Sequence, residues 1–208
     1  TKFALILNPD TKLEKNCLKN FFKKIDEIDN KFSIIGPILN QDKSLYKNQK
    51  LNKNNLIDVP NVKGFGLFLN LEKIKKVDFF DENFFLFFEE IDLCYRLKKI
   101  GENIFIDPNI KIFHEGGSSS DNDFIDETNI IKNWHWMWST FYYHKKHKTF
   151  FIALLITLPK FITSILKFIF SILTFKKKNS VIYFYRLSGF INALFGKKSW
   201  FRGRNLDT

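Results

Sequence analysis

Three carboxylates stand within four positions of the chain, at Glu89, Glu90 and Asp92. They begin a predicted helix for which Gly101 is the terminating residue. The helix dipole favours acids in a first turn without any catalytic role. Against that interpretation, neighbouring acids repel one another, and the four phenylalanines of residues 84–88 would raise a carboxyl pKa toward the range of a general base. The segment is therefore either a catalytic carboxylate site or a dipole-stabilised helix start.

Two other polar positions could serve the same chemistry. Asp10 follows Asn8 and Pro9, where the apolar run 3–7 is followed by a predicted helix, and His114 closes an alternating strand pattern. Each also has an ordinary explanation, because Asn, Pro and Asp form turns and an isolated histidine is usually hydrogen-bonded without binding a metal. Carboxylate oxygen suits Mg²⁺ or Mn²⁺. A cation beside a carboxylate base would suit the transfer of a group from an anionic leaving group.

The front of the chain alternates between strand and helix patterns. Short apolar runs predict strands at residues 3–7, 33–39 and 62–69. Residues 11–14 have the spacing of a capping box, which predicts a helix through Ile28. The Lys- and Asn-rich residues 40–55 predict a mobile surface loop. Gly64 and Gly66 would let a substrate or another backbone approach the third strand.

The net charge of +11 is unevenly distributed. Residues 134–208 hold 13 Lys and Arg against one acid, whereas residues 1–133 hold 20 against 21. We therefore predict a catalytic-type domain in residues 1–133 and a basic, aromatic tail in residues 134–208. Such a tail favours nucleic acid or an anionic membrane surface as its partner. Nucleic acid is disfavoured, because the acidic front would repel phosphate and the tail is too apolar.

The tail contains an almost continuous apolar run at residues 150–175, in which polar positions recur as one stripe of a helix. They are Thr157, Lys160, Ser164, Lys167, Ser171 and Thr174. Mid-segment lysines and Pro159 favour an amphipathic helix in the membrane interface over a membrane-spanning helix or a core helix. Lys160 and Lys167 would then bind the membrane. Trp136 and Trp138 suit the headgroup level, and equally suit the core of a domain.

Cysteine usage and the start of the chain bear on the compartment. Cys17 and Cys94 lack the spacing of a disulfide scaffold or a zinc site, which favours a reducing environment. No signal-peptide pattern opens the chain. Together with the tail, these features predict a peripheral protein at the cytoplasmic face of the cell membrane.

The order and spacing of the candidate residues resemble family two glycosyltransferases, in particular the bacterial rhamnosyltransferase-like branch. The resemblance covers about residues 1–120. The matching segments are residues 5–11, 64–66, 78–85 and 88–97, with Pro108 and His114. The resemblance implies a GT-A-like α/β fold, here a partial three-layer sandwich around a mostly parallel sheet, and a single inverting displacement on a nucleotide-diphosphate sugar.

The resemblance also implies roles for the polar residues. Asp10 would hold Mg²⁺ or Mn²⁺ on the donor diphosphate, and His114 would be a further ligand or a diphosphate contact. Family members often carry two aspartates in the metal motif, whereas this chain has Asn8 in the first place. Asp81 and Gly64 would line the acceptor side.

The catalytic base is less sharply identified. Glu90 stands where the family usually carries an aspartate that takes the proton of the acceptor hydroxyl. Because glutamate is longer by one methylene, the resemblance leaves the role open among Glu89, Glu90 and Asp92.

The resemblance favours a metal-dependent hexosyl or rhamnosyl transferase of polysaccharide biosynthesis, with a glycan or lipid-linked acceptor. The alternative is an inactive membrane-associated remnant or scaffold of that fold. Family members begin with elements that grip the nucleotide, and none precedes Thr1. We therefore expect residues 1–133 to be the metal and acceptor half, with weak or no transfer unless an N-terminal donor-binding segment complements it.

Overall fold

The structure is a computed structural model that describes residues 1–39, 50–114 and 122–203, without the side chains of residues 114 and 122–126. Most of the predicted loop at residues 40–55 lies outside the described residues. The chain forms two compact units. The first is Thr1–Asp81 with Glu90–Ser118, and the second is Glu82–Glu89 with Ser119–Thr208. The division therefore lies nearer residue 118 than the predicted residue 133, because the first tail helix begins before residue 133.

The first unit contains six strands and three helices among its described residues. The strands are β1 (Phe3–Leu7), β2 (Thr11–Leu13), β3 (Ile34–Leu39), β4 (Ile57–Asp58), β5 (Gly66–Asn70) and β6 (Ile104–His114). The helices are α1 (Cys17–Glu27), α2 (Leu71–Lys75) and α3 (Glu89–Lys99), of which α3 has its first residue in the second unit. The predicted first strand and carboxylate helix are confirmed.

The sheet is mixed, so the expectation of a mostly parallel sheet is wrong. Its order is β1-β5-β3-β6-β2, with β4 also paired to β6. Among the described strands only β3 and β6 pair in parallel, and the other four pairings are antiparallel. The parallel pair is joined by a long crossover that includes α3, as parallel neighbours require.

The predicted capping box at residues 11–14 is also wrong. Thr11–Leu13 forms β2 and pairs with β6, and α1 begins only at Cys17, after Asn16 in the left-handed region at φ 68. The Thr11 hydroxyl donates to the carbonyl oxygen of Asn8 at 2.6 Å and does not cap a helix. A cap is worth about 1 kcal/mol, which the strand pairing outweighs here.

Two apolar cores cover the two faces of the sheet. Consecutive strand residues point to opposite faces, so Ile35 joins the core that contains Phe21 and Ile25 of α1, whereas Ile34 joins the core that contains Leu93 of α3. The first unit is therefore an α/β/α sandwich, which positions the ends of its strands rigidly.

The second unit is helical in its described part. Its helices are α4 (Asn122–His147), α5 (Phe150–Leu173) and α6 (Lys177–Leu194). Their core contains Trp134, Met137 and Phe141 of α4 together with Phe190 of α6.

A buried histidine ties the end of the described chain to α4. His135 is fully buried, with Nδ1 3.0 Å from the Ser199 hydroxyl and Nε2 2.7 Å from the Phe201 carbonyl oxygen. Since a carbonyl only accepts, Nε2 carries the proton and Nδ1 accepts from Ser199. Burial lowers the pKa of His135 to about 4, and the nearby Arg202 charge acts in the same direction.

We expect this histidine to make stability depend on pH. An unfolded histidine titrates near 6.5, so between pH 6.5 and about 4 the unfolded chain binds a proton that the folded chain excludes. The contribution is complete above pH 6.5 and is lost as the pH falls toward 4. Thermal melts at pH 7.5 and 5 should show a larger decrease in Tm for the wild type than for His135→Gln. Equal decreases would contradict this assignment.

Candidate active site

The predicted metal segment lies in a tight turn between β1 and β2. The carbonyl oxygen of Asn8 accepts hydrogen bonds from the Thr11 N–H at 3.1 Å and from the Thr11 hydroxyl at 2.6 Å. In the ladder of β2 and β6, Thr11 pairs with His114. Asp10 therefore precedes the residue that lies opposite His114. The side chain of His114 is outside the described residues.

The carboxyl group of Glu90 lies against Gly64. A Cβ atom built on Gly64 would be 3.5 Å from Glu90 Cδ and 3.6 Å from its Oε1. The next residue, Phe65, accepts a hydrogen bond at 3.2 Å from the N–H of Asn8. The segment that contacts Glu90 therefore also contacts the turn that carries Asp10.

These positions share one edge of the sheet. β1 ends at Leu7, which pairs with Gly66 at the start of antiparallel β5. β3 and β6 run in parallel and end at the same edge, where Leu39 pairs with Ile112. In open α/β sheets, ligands bind outside the carboxyl ends of the strands. The edge that follows β1, β3 and β6 is therefore the candidate active site.

Asp92 has a structural role instead. Its side chain is fully buried and accepts a hydrogen bond at 2.7 Å from Nε of Arg96. The guanidinium of Arg96 also donates to the backbone carbonyls of Val77 and Phe79. Phe79 has φ 54 and lies two residues before Asp81, so the pair holds the turn that leads to the predicted acceptor residue. The sequence signal for this pair is its i, i+4 spacing on one face of the helix.

The carboxyl group of Glu89 is partly buried and only partly hydrogen-bonded. Burial raises its pKa, and its Oε2 accepts no hydrogen bond within the described part of the chain. The two residues before it, Phe87 and Phe88, have φ 66 and 71, in the left-handed region that is uncommon for aromatic residues. Such strain costs on the order of 1–3 kcal/mol per residue and clusters at functional sites. Glu89 and Glu90 both remain candidates for the base.

The predicted membrane-binding residues of the tail fall into two groups. Trp138 is 2% exposed, and its indole N–H donates to the carbonyl of Lys197 at 2.9 Å. It is a core residue of the second unit, so we withdraw its predicted membrane role. Trp136 and Lys160 are partly exposed, with the Lys160 ammonium 5.0 Å from the indole centroid, and Lys167 is exposed.

The residues at the sheet edge suit a divalent cation. Among the side chains that the structure describes, no three His, Cys, Asp or Glu residues group as a metal site. Asp10 and the neighbouring strand position His114 would supply one carboxylate and one imidazole. Sites of this kind take their other ligands from substrate phosphates and water, so two protein ligands fit Mg²⁺ or Mn²⁺.

Comparisons with known proteins bear on the fold. No protein-family profile and no curated protein matches the chain. A similar solved structure is the mannosyltransferase PcManGT from Pyrobaculum calidifontis in complex with GDP-Man and Mn²⁺, at TM-score 0.50 and 10% identity over 95% of this chain and 63% of that chain. Another is GalNAc-T7 with UDP, GalNAc and Mn²⁺, at TM-score 0.44 and 11% identity over 74% of this chain and 39% of that chain.

The likeness to the mannosyltransferase shows that this chain has a GT-A-like α/β fold, and the expected fold class is confirmed to that extent. The TM-score to GalNAc-T7 is too low to support an argument. The chain spans less than two thirds of the length of either protein. Membership of family two and the rhamnosyltransferase-like branch stay predictions.

Proposed function

We propose that this chain is part of an inverting glycosyltransferase that moves a hexosyl or rhamnosyl group from a nucleotide-diphosphate sugar to an acceptor hydroxyl. The observation that carries the proposal is the position of the Glu90 carboxyl group against Gly64, next to the turn of Asp10 at the carboxyl edge of the sheet. The similar mannosyltransferase, which was solved with a sugar nucleotide and Mn²⁺, supports the same chemistry.

Each residue would have one task in a single displacement. Glu90 accepts the proton of the acceptor hydroxyl as that oxygen attacks the anomeric carbon. Asp81 and Gly64 line the acceptor side. Asp10 and His114 would hold Mg²⁺ or Mn²⁺, which supplies positive charge beside the leaving diphosphate. The acceptor oxygen bonds to the anomeric carbon on the side opposite the diphosphate, whose bond to that carbon breaks, so the single displacement inverts the configuration.

The test uses the full-length protein that contains this chain. In the presence of Mn²⁺ and an acceptor extract, it should release nucleoside diphosphate from at least one of a panel of UDP-, GDP- and dTDP-sugars. Magnetic resonance of the product should show the inverted anomer. A folded protein that consumes no donor would contradict the proposal, and a retained anomer would contradict the mechanism.

Gly64 provides a probe of the acceptor side. Its Cβ position is open to ordinary contact with Glu90, so Gly64→Ala should fold normally, whereas Gly64→Val adds branched methyls toward the same carboxyl group. In the full-length enzyme we expect Tm to be unchanged for Gly64→Ala. We expect kcat/KM for the acceptor to fall from Gly to Ala to Val, with KM for the donor unchanged. A parallel loss of donor affinity would place Gly64 elsewhere.

We further propose that the acceptor is a cell-envelope or lipid-linked glycan at the cytoplasmic membrane face. Among the described residues, α5 is the one helix long and apolar enough to cross a membrane, and only 17% of its most apolar window is buried. Its polar residues Thr157, Ser164 and Ser171 are buried within the second unit, whereas Leu155 and Leu166 are 70% and 61% exposed. The apolar face of α5 is thus available to lipid, with α5 lying in the interface.

Replacing two of these leucines tests the membrane proposal. Each exposed leucine that enters lipid contributes about 1.5–3 kcal/mol, so Leu155→Glu with Leu166→Glu should weaken binding to anionic vesicles at least a hundredfold. Flotation with phosphatidylcholine and phosphatidylglycerol vesicles measures this. The control, Asn61→Glu with Asn179→Glu, adds the same charge at exposed polar positions outside α5 and should have a much smaller effect. Equal flotation of the leucine variant and the wild type would refute lipid contact.

A further inference from the structure

Two cations meet one indole ring between the helices of the second unit. The Nζ of Lys160 on α5 lies 5.0 Å from the ring centroid of Trp136 on α4, and the guanidinium carbon of Arg186 on α6 lies 4.5 Å from the same centroid. All three side chains are partly exposed, so a small ligand in solution can reach them. The three helices therefore present a cationic cluster, which we define as Trp136, Lys160 and Arg186.

The cationic cluster has no anionic partner in the described part of the chain. Neither Lys160 nor Arg186 is in any ion pair of the described residues, and Arg186 Nε is buried without a hydrogen-bond acceptor. Nδ1 of His144, whose ring is close enough to Lys160 to feel its charge, is likewise buried without a partner. Burial and the neighbouring Arg186 charge lower the pKa of Lys160. The Trp136 ring attracts both cations but does not remove their mutual repulsion, which an anionic ligand would offset.

A phosphate group has the matching chemistry. Its oxygens accept two parallel hydrogen bonds from a guanidinium, and a lysine ammonium adds a point charge to the same group. The Nε of Arg186 that lacks an acceptor would be one of these donors. A monoester phosphate carries more charge than a carboxylate and suits two cations better.

The residues around the cationic cluster favour a membrane lipid as the source of the phosphate. Lys160 projects from α5, the helix whose other face is exposed and apolar. Lys145, Lys146 and Lys148 precede this helix, and Lys176 and Lys177 follow it. We propose that Trp136, Lys160 and Arg186 bind the monoester phosphate of a phosphatidic-acid-type membrane lipid and so anchor the second unit at a fixed depth. This inference rests on the membrane part of the proposed function and not on sugar transfer.

The test measures a defined ligand in solution, so that general attraction to a charged surface does not contribute. Short-chain dihexanoyl phosphatidic acid, below its micelle concentration and in 0.15 M NaCl, is titrated calorimetrically into the full chain. We expect saturable binding with one site. Lys160→Met and Arg186→Gln should each weaken binding about tenfold or more, because each removes one charge-assisted contact. The double variant Lys197→Gln with Lys198→Gln removes two exposed charges of the same unit and should bind as the wild type does.

The remaining measurements compare other phosphate-containing ligands and control for unfolding of the variants. Dihexanoyl phosphatidylcholine and inorganic phosphate should bind at least tenfold more weakly than the phosphatidic acid. If inorganic phosphate binds equally well, the lipid source is wrong, and if Lys160→Met and Arg186→Gln both bind as the wild type does, the site is wrong. Circular dichroism and Tm of each variant show whether a loss of lipid affinity reflects unfolding. If Lys160→Met or Arg186→Gln unfolds, the deciding variant is Trp136→Phe. It keeps both cations and must lose less lipid affinity than either of them. The Kd of the sugar nucleotide, measured with Mn²⁺, is expected to be the same in all variants. If the glycosyltransferase proposal is wrong, the sugar nucleotide does not bind, whereas lipid binding is unaffected.

Discussion

Replacing Glu90 by Gln lowers kcat of the full-length enzyme by about 10²–10⁴-fold, which is the contribution expected of a general base. Glutamine has the same shape and still contacts Gly64, but it cannot take the proton of the acceptor hydroxyl. The Kd of the sugar nucleotide, measured calorimetrically with Mn²⁺, stays within about twofold of the wild type, because the donor diphosphate would lie at Asp10 and His114. A scaffold without activity would be indifferent to this replacement.

The matched control is Glu89→Gln, one residue earlier in the same helix. Burial raises the pKa of Glu89, which also suits a general base. Comparing kcat of the two variants therefore shows which glutamate is the base. We expect Glu89→Gln to keep kcat within about tenfold of the wild type, well short of the loss of a general base. The reverse order, with Glu89→Gln inactive and Glu90→Gln active, would assign the base to Glu89. Similar losses in both would indicate that the two carboxylates act as a unit.

The second large effect concerns stability. Arg96→Met removes the ion pair of the fully buried Asp92 and the donors to the carbonyls of Val77 and Phe79. Breaking a buried ion pair from one side typically costs about 3–5 kcal/mol, because an uncompensated charge stays buried. We expect urea unfolding to show a decrease in the free energy of unfolding of this size. The pair has no proposed chemical role, so the loss should appear as unfolding.

Lys98→Met is the matched control, since Lys98 is on the same helix and pairs with Asp58 at 2.7 Å. That pair is at the surface, where the side chain of Asp58 is 58% exposed, and such pairs contribute about 0–1 kcal/mol. A double variant, Asp92→Leu with Arg96→Met, should be more stable than Arg96→Met alone, because no charge remains buried. If Arg96→Met and Lys98→Met lost equally little, the structural role of Asp92 would be refuted.

The sequence predicted secondary structure well in segments whose apolar residues follow a single periodicity, either that of a strand or that of a helix. The runs at residues 3–7 and 33–39 contain β1 and β3, of which β3 begins at Ile34, and the carboxylate helix spans Glu89–Lys99. The helical spacing from Cys17 to Ile25 is correct, although the start of that helix was placed too early. These features depend on side-chain periodicity, which the sequence carries directly.

The sequence by itself determined which residue types were available for chemistry, namely three clustered acids, a turn with Asp10, and a strand that ends at His114. Only the tertiary structure decided what each does. Residues 11–13 form a strand because they pair with β6. Asp92 forms a buried ion pair with Arg96, and Trp138 lies in the core of the second unit. Likewise, pairing across the sheet brought Asp10 beside the strand position of His114, and Gly64 beside Glu90. Local preferences amount to about 1 kcal/mol, and contacts between residues far apart in the chain outweigh them.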